Sequence, residues 1–410
     1  MKKGRRKYGF LTAASMVVGS VIGSGVFFKT QEISRITDGN VYIGLSAWMM
    51  GAIVMLFCLL PFAEMTEKYG DGGFYEMAEK MMGERWAHFI GFFMATVYYP
   101  SLVSTLSFLT AKYTLLAFGV ENGFIFFFSA ILFLAVAFLQ NACSPHLSGK
   151  VQLATTFIKL IPLFLMILLG MQNGELKENL SGQNVATFRE TFFPAVTATL
   201  FAYEGWISAT SVGENLKNPQ KNLPRALVVG GSVITAVYIF YYLGIMGAVE
   251  SKTLINYGAE GIKVAFSNIL GRWGALLTTF VAISCFGALN SLVMGCSASN
   301  REIFGEKAPH FTGFIISILW LFYLFAQQGK WAGSSLFDST ELPVVTLYAL
   351  YIPMFLSFAK SEKNARITLL CIGGICASLF AVICGTLAHR GEIISYILIL
   401  LSIMLFAKKR

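Results

Sequence analysis

The chain has 410 residues, of which 56% are hydrophobic and only 13% charged, with a formal net charge of +9. Soluble globular domains carry about 25% charge, so a water-soluble enzyme or binding module is excluded. The positive balance tracks the loops between apolar runs, and nucleic-acid binding is not needed to explain it.

In chain order, apolar runs long enough to cross a bilayer fall at about 9–34, 41–65, 86–118, 123–141, 150–171, 190–212, 226–249, 273–300, 311–328, 341–358, 366–388 and 392–407. They predict an all-α polytopic membrane protein: twelve transmembrane helices in one domain, 1–410, with 329–340 as a loop. The first run follows the basic stretch MKKGRRKYG but is too long for a signal-peptide core, so it reads as a retained anchor. Twelve spans place both termini on one side. That side carries 20 of the 31 lysines and arginines, among them Lys217, Lys221, Arg225, Lys360, Lys363 and Arg366. Both termini are therefore expected in the cytoplasm, and the chain in the cell membrane. Cys58, Cys143, Cys285, Cys296, Cys371, Cys376 and Cys384 lie in spans or near the cytoplasmic side, so no disulfide framework is expected. His88, His146, His310 and His389 are scattered and no CxxC or HExxH occurs, so neither metal nor cofactor is expected. A membrane-embedded enzyme would need a nucleophile–base pair or an acid pair at depth, and the sequence offers none.

Three spans carry residues that a bilayer penalises. The first contains Val21-Ile22-Gly23-Ser24-Gly25-Val26-Phe27. Gly19 and Gly23 could form a small-xxx-small packing face. Alternatively, the glycines permit an unwound point. Freed N–H groups of the outer half-helix then suit a carboxylate, and freed carbonyls suit an ammonium. The sixth span places Glu204 near its middle, beside Gly205 and Trp206, and an intramembrane carboxylate is a functional hypothesis by default. Two breaks five helices apart predict a five-plus-five inverted repeat: about 9–171, then about 190–358, then two extra helices at about 366–407. The fifth span holds Lys159 about nine residues from its cytoplasmic end, where a fixed ammonium can stand in for a coupling cation. Pro100 is expected to kink the third span, where Tyr98, Tyr99 and Ser101 either line a cavity or pack helices, as does Tyr238 in the seventh.

These residues bring a family into view. GSGVF at Gly23 to Phe27, PFAEMTEKYGDGGFY at Pro61 to Tyr75, FAYEGW at Phe201 to Trp206, Asn218-Pro219 with Asn222-Leu223-Pro224, and GALN at Gly287 to Asn290 stand in order along the chain. Together they resemble the amino acid–polyamine–organocation superfamily, most closely its L-type amino acid transporter branch. The resemblance implies the bacterial leucine transporter fold, with the first and sixth helices unwound. It implies that N–H groups of Ser24, Gly25 and Val26, beside Gly23, hold a substrate carboxylate. Carbonyls of Ile22, Phe201, Ala202 and Glu204 would hold its α-amino group, and the Phe201 ring would close over it. Lys159 matches a lysine that takes the second sodium position in sodium-independent relatives; Tyr238 and Trp206 fall at coupling or gating positions. The outer loop FGVEN lacks the cysteine by which animal relatives join a glycoprotein, so no such partner is expected.

The expected activity is sodium-independent secondary transport of amino acids, with exchange of small neutral substrates by alternating access. The partners expected are amino acid substrates and membrane lipids. The acid at Glu204 leaves two alternatives open: a cationic amino acid or polyamine carrier, and proton-coupled symport.

Overall fold

A computed structural model describes residues 9–407 apart from Ser24, residues 70–72, Ser144, residues 182–187, Gly258, Ala308 and residues 329–337. Ser24 and most of the loop expected at 329–340 thus lie outside the described residues.

The described elements are helical. The first half comprises α1 (Phe10–Val21), α2 (Gly25–Ile36), α3 (Val41–Tyr69), α4 (Phe74–Met82), α5 (Glu84–Phe93), α6 (Tyr99–Ala117), α7 (Gly123–Cys143), α8 (Pro145–Leu165) and α9 (Glu175–Ser181). The second comprises α10 (Phe188–Ala202), α11 (Pro219–Ala248), α12 (Ser251–Tyr257), α13 (Ala259–Leu270), α14 (Leu277–Phe304), α15 (Pro309–Gln328), α16 (Glu341–Ser361), α17 (Ala365–Ala388) and α18 (Ile393–Ala407). Short polar side chains start several of them. Asn122 Oδ1 accepts from the N–H groups of Phe124 and Ile125 at 3.0 and 3.1 Å at the head of α7. Asn40 and Asn364 do the same for α3 and α17. Each satisfies N–H groups that a helix start leaves without partners.

Ten helices among the described residues are long and apolar enough to cross a membrane, against the twelve spans expected. The two differences have physical causes. The sixth expected span is divided: α10 stops at Ala202, and a 3₁₀ helix resumes at Trp206–Asn215. α18 has 15 residues, which at about 1.5 Å per residue falls short of a roughly 30 Å hydrocarbon layer. The short helices α4, α9, α12 and α13 occupy segments that the apolar pattern assigns to loops.

The third span does not break at Pro100. A π-helical turn, Met94–Tyr98, lies between α5 and α6 and takes up the distortion. Proline lacks the N–H that would bond the carbonyl four residues back, that of Thr96. The Trp320 indole of α15 donates to that carbonyl instead, at 2.8 Å. Trp320→Phe strands this carbonyl. It is expected to cost about 0.5–2 kcal/mol, read as a lower melting temperature of the purified protein in detergent.

The central helices pack in matched pairs: α3 against α11, and α6 against α14. α1 and α10 lie among them, with α8 against α1 and α14, and α17 covering α3. Large apolar side chains face outward on the peripheral helices, including Phe124 (73% exposed), Leu369 (69%) and Ile394 (70%). Such a surface suits lipid and not water. At the end where α3 finishes, Lys68 pairs with Glu362, and Arg366 pairs with Glu64 at 3.2 Å.

Candidate functional site

The two helix interruptions meet. Between α1 and α2 the backbone at Ile22 is extended (φ −71°, ψ 90°). Between α10 and the 3₁₀ helix, Gly205 takes φ +110°, a region closed to most side chains. Gly25 lies at the crossing itself: a Cβ there would stand 2.8 Å from Ala202 Cα. Gly23, one of the two glycines of the packing reading, is closely packed as well, since a Cβ there would stand 2.8 Å from Ala288 Cβ; packing and helix interruption are therefore not exclusive.

Interrupting the first span frees carbonyls, and polar side chains from three other helices take them up. Lys159 of α8, fully buried, donates from Nζ to Gly19 O and Ile22 O, each at 2.5 Å. Tyr238 of α11 reaches Val21 O at 3.0 Å and Ala202 O at 3.1 Å, so its hydroxyl spans both breaks. Ser284 of α14 donates to Gly23 O at 3.0 Å. Phe201 O accepts from Glu204 N at 3.2 Å. The carbonyls of Ile22 and Phe201 thus already hold one hydrogen bond each, and that of Ala202 shares the single Tyr238 hydroxyl proton with Val21 O; each retains a second lone pair.

Glu204 is 5% exposed. Its Oε1 accepts from the Tyr98 hydroxyl at 2.8 Å, and its Oε2 has no hydrogen-bond partner among the described residues. Its partner is thus a tyrosine of the third span, and Lys159 makes no ion pair with it.

A small cavity sits at the crossing. Gly23, Gly25, Phe201, Ala202, Glu204 and Gly205 form one wall; Leu102, Leu106, Ala288 and Leu292 form much of the other. Its volume is about 30 Å³, room for roughly one water and for no amino acid. Ile22, Val26, Lys159, Tyr238 and Trp206 stand outside its wall. Trp206 packs instead on Phe62 and Tyr351, at ring distances of 5.3 and 6.0 Å. Ser284 and Tyr98 bond site residues directly, yet neither is distinctive in sequence. The one signal for Tyr98 is its place beside Pro100. A lysine within the first span, Lys29, has no role assigned by motif or resemblance. Its depth on α2 is itself a signal.

Residues 8–407 match the family model described as amino acid permease. The serine/threonine exchanger SteT of Bacillus subtilis is 29% identical over 382 residues, 88% of this chain and 86% of that one. The human cystine/glutamate transporter is 26% identical over 305 residues; the match covers 72% of this chain and 60% of that longer protein. The crystal structure of MhsT in complex with L-phenylalanine superposes with a TM-score of 0.66 at 16% identity, over 94% of this chain and all of that one. The fold is therefore shared with that protein.

Proposed function

Because the chain belongs to the amino acid permease family, we propose that it is a sodium-independent exchanger of small neutral L-amino acids, working by alternating access. The observation that carries this is Lys159. Its ammonium lies against the carbonyls that the break in the first span sets free, the place where a coupling cation would otherwise be held. With that charge supplied by the chain, no sodium is required. The N-terminus of α2 offers the N–H groups of Gly25 and Val26 for a carboxylate, the expected role of Ser24 falling outside the described residues, and the second lone pairs of the Ile22, Phe201 and Ala202 carbonyls offer an α-amino site. The wall of Leu102, Leu106, Ala288 and Leu292 favours a short uncharged side chain. Relatives that exchange serine and threonine or carry other amino acids agree with this reading.

Two five-helix repeats, about 9–171 and 190–358, within a twelve-span chain with cytoplasmic termini belong to the same proposal. The pairing of α3 with α11 and α6 with α14 supports it, since second would meet second and third would meet third across a two-fold axis. No glycoprotein partner enters the proposal.

A second reading has one observation in its favour. Glu204 Oε2 has no hydrogen-bond partner among the described residues, and Glu204 lines the cavity, as a counter-charge for a cationic substrate or a coupled proton would. Glu204→Gln separates the two, because glutamine keeps the size and the Tyr98 contact but cannot titrate. Exchange of labelled alanine or serine is expected to stay within about threefold of the parent, less than 1 kcal/mol. Loss of lysine uptake, or of a pH-gradient effect, in this variant would favour the second reading. The main test is reconstitution in liposomes with labelled alanine, serine, leucine and lysine, with and without internal amino acid, sodium and a pH gradient. Uptake that follows sodium and ignores internal substrate would refute the exchange proposal.

A further inference from the structure

The site has a second charged cluster above it, at the end of the bundle where α2 finishes and α16 begins. Lys29 of α2 is 1% exposed, and its ammonium lies 2.5 Å from Glu341 Oε1 and 2.6 Å from Glu32 Oε2. The other oxygen of Glu341 bonds His389 Nε2 at 2.9 Å, in the turn between α17 and α18. His389 Nδ1 faces Glu392 Oε2 at 3.6 Å, and Glu392 in turn accepts from the Asp338 backbone N–H at 2.5 Å. Asp338 Oδ1 caps the start of α16 through the N–H groups of Thr340 and Glu341. Beneath this chain, Lys29 Nζ stands 4.7 Å from the Phe28 ring centre and 5.2 Å from that of Phe201. Phe201 is also a wall of the cavity. The order from that end inward is charge chain, aromatic pair, cavity.

Buried charges are expensive to maintain, and an ion pair that crosses between helices fixes their relative position. α2 is the half-helix that starts at the break in the first span; it packs on α10, α12 and α13, and the Lys29–Glu341 pair ties it to α16 as well. We propose that Lys29, Glu341 and His389 form a latch that holds α2 against α16 over Phe201 and must part before a solute can enter the cavity from this side. The proposal rests on the transport reading above, and it assigns Lys29 and His389 as positioning residues.

The charge balance makes the latch pH-dependent. Among the described residues, Lys29 is the one fixed cation of the cluster: it faces Glu32, Glu341 and Asp338, while His389 faces Glu341, Asp338 and Glu392. Arg390, next in the chain, is exposed. A protonated His389 supplies a second cation. Burial lowers its proton affinity, but the Glu341 hydrogen bond and the charges of Glu341, Asp338 and Glu392 outweigh that and raise it above the ordinary histidine value. A group with raised folded-state affinity contributes fully below its ordinary value and ceases to contribute as the pH rises through its raised value. The latch is therefore tightest in acid and weakest in alkali.

Accessibility of the cavity tests this without relying on transport. Leu106→Cys, on the cavity wall, is placed in a background lacking the exposed Cys143 and Cys376. Intact cells are then treated with a membrane-impermeant maleimide, and variants are compared at one pH because thiol reactivity itself rises with pH. Lys29→Met combined with Glu341→Gln removes both charges of the pair that joins α2 to α16, leaving the partly exposed Glu32 of α2 without its cation, and should label about tenfold faster. Lys29→Arg should label at the parent rate. His389→Gln should label faster than the parent at pH 6, by a margin that narrows toward pH 8. Equal labelling of the double variant and the parent would overturn the latch, and so would a His389→Gln variant indistinguishable from the parent at both pH values. An absence of amino acid exchange in the parent would instead overturn the transport reading, with labelling still deciding the latch.

Discussion

Replacing Lys159 with methionine is expected to lower amino acid exchange by a factor on the order of 10² or more. Methionine keeps the length and apolar stem of lysine but donates nothing. Two buried carbonyls, Gly19 O and Ile22 O, then lose their charged partner together. A hydrogen bond to a charged group contributes about 1.5–3 kcal/mol net, so two come to roughly 3 kcal/mol or more. The loss falls at the junction where α1 must end and α2 begin, so geometry suffers along with stability. Lys159→Arg retains the charge but brings a planar fork where a compact ammonium fits, and should rescue exchange only in part. Labelled exchange in liposomes measures both variants, with size-exclusion profiles showing that each is folded. A Lys159→Met protein that exchanges at the parent rate would remove the ground for sodium independence.

Gly205→Ala is expected to be as damaging by a different route. Its φ of +110° penalises any side chain by about 1–3 kcal/mol. A Cβ would also stand 2.8 Å from the Ser20 carbonyl oxygen, a backbone atom with no freedom to rotate away. Gly119 provides the control: it has φ +67°, and a Cβ there would meet nothing within 4 Å, so Gly119→Ala carries the backbone penalty without the clash. The first variant should lose exchange and melt at a lower temperature; the second should keep exchange. Similar exchange in both would mean that the approach of Ser20 to the sixth-span break is not needed for function.

Much of this architecture is written into local sequence. Long apolar runs separated by polar turns locate the helices because a bilayer-facing surface must be apolar whatever lies behind it. Gly205 marks one break because its positive φ suits few other residues, and Gly23 and Gly25 mark the other because neighbouring helices leave no room for a side chain. Lys159 and Glu204 are conspicuous because charge at depth is costly. The contacts that organise these residues are not visible in the same way. Tyr98 meets Glu204 across 106 positions, and Lys29 meets Glu341 across 312. Periodicity says which face of a helix is polar, but not which helix stands opposite. The short helices α4, α9, α12 and α13 are hidden for another reason: they are too short for an apolar run to announce them. The near-closure of the cavity is likewise a property of one arrangement of the helices, on which composition is silent.

The π-turns at Met94–Tyr98 and Met166–Gly170 carry a consequence for chain length. A π-turn holds one more residue than the α-helical turn it replaces, so each is a single-residue surplus stored inside a span. Deleting one residue there would regularise the helix and leave both flanking segments near their present azimuths, whereas a deletion in the regular helix on either side would rotate everything beyond it by about 100°. In the third span, a deletion within α6 would carry Glu84–Phe93 to a different azimuth relative to the residues that follow. The third and fifth spans should therefore accept the loss of one residue at these turns far more readily than the same loss elsewhere along them.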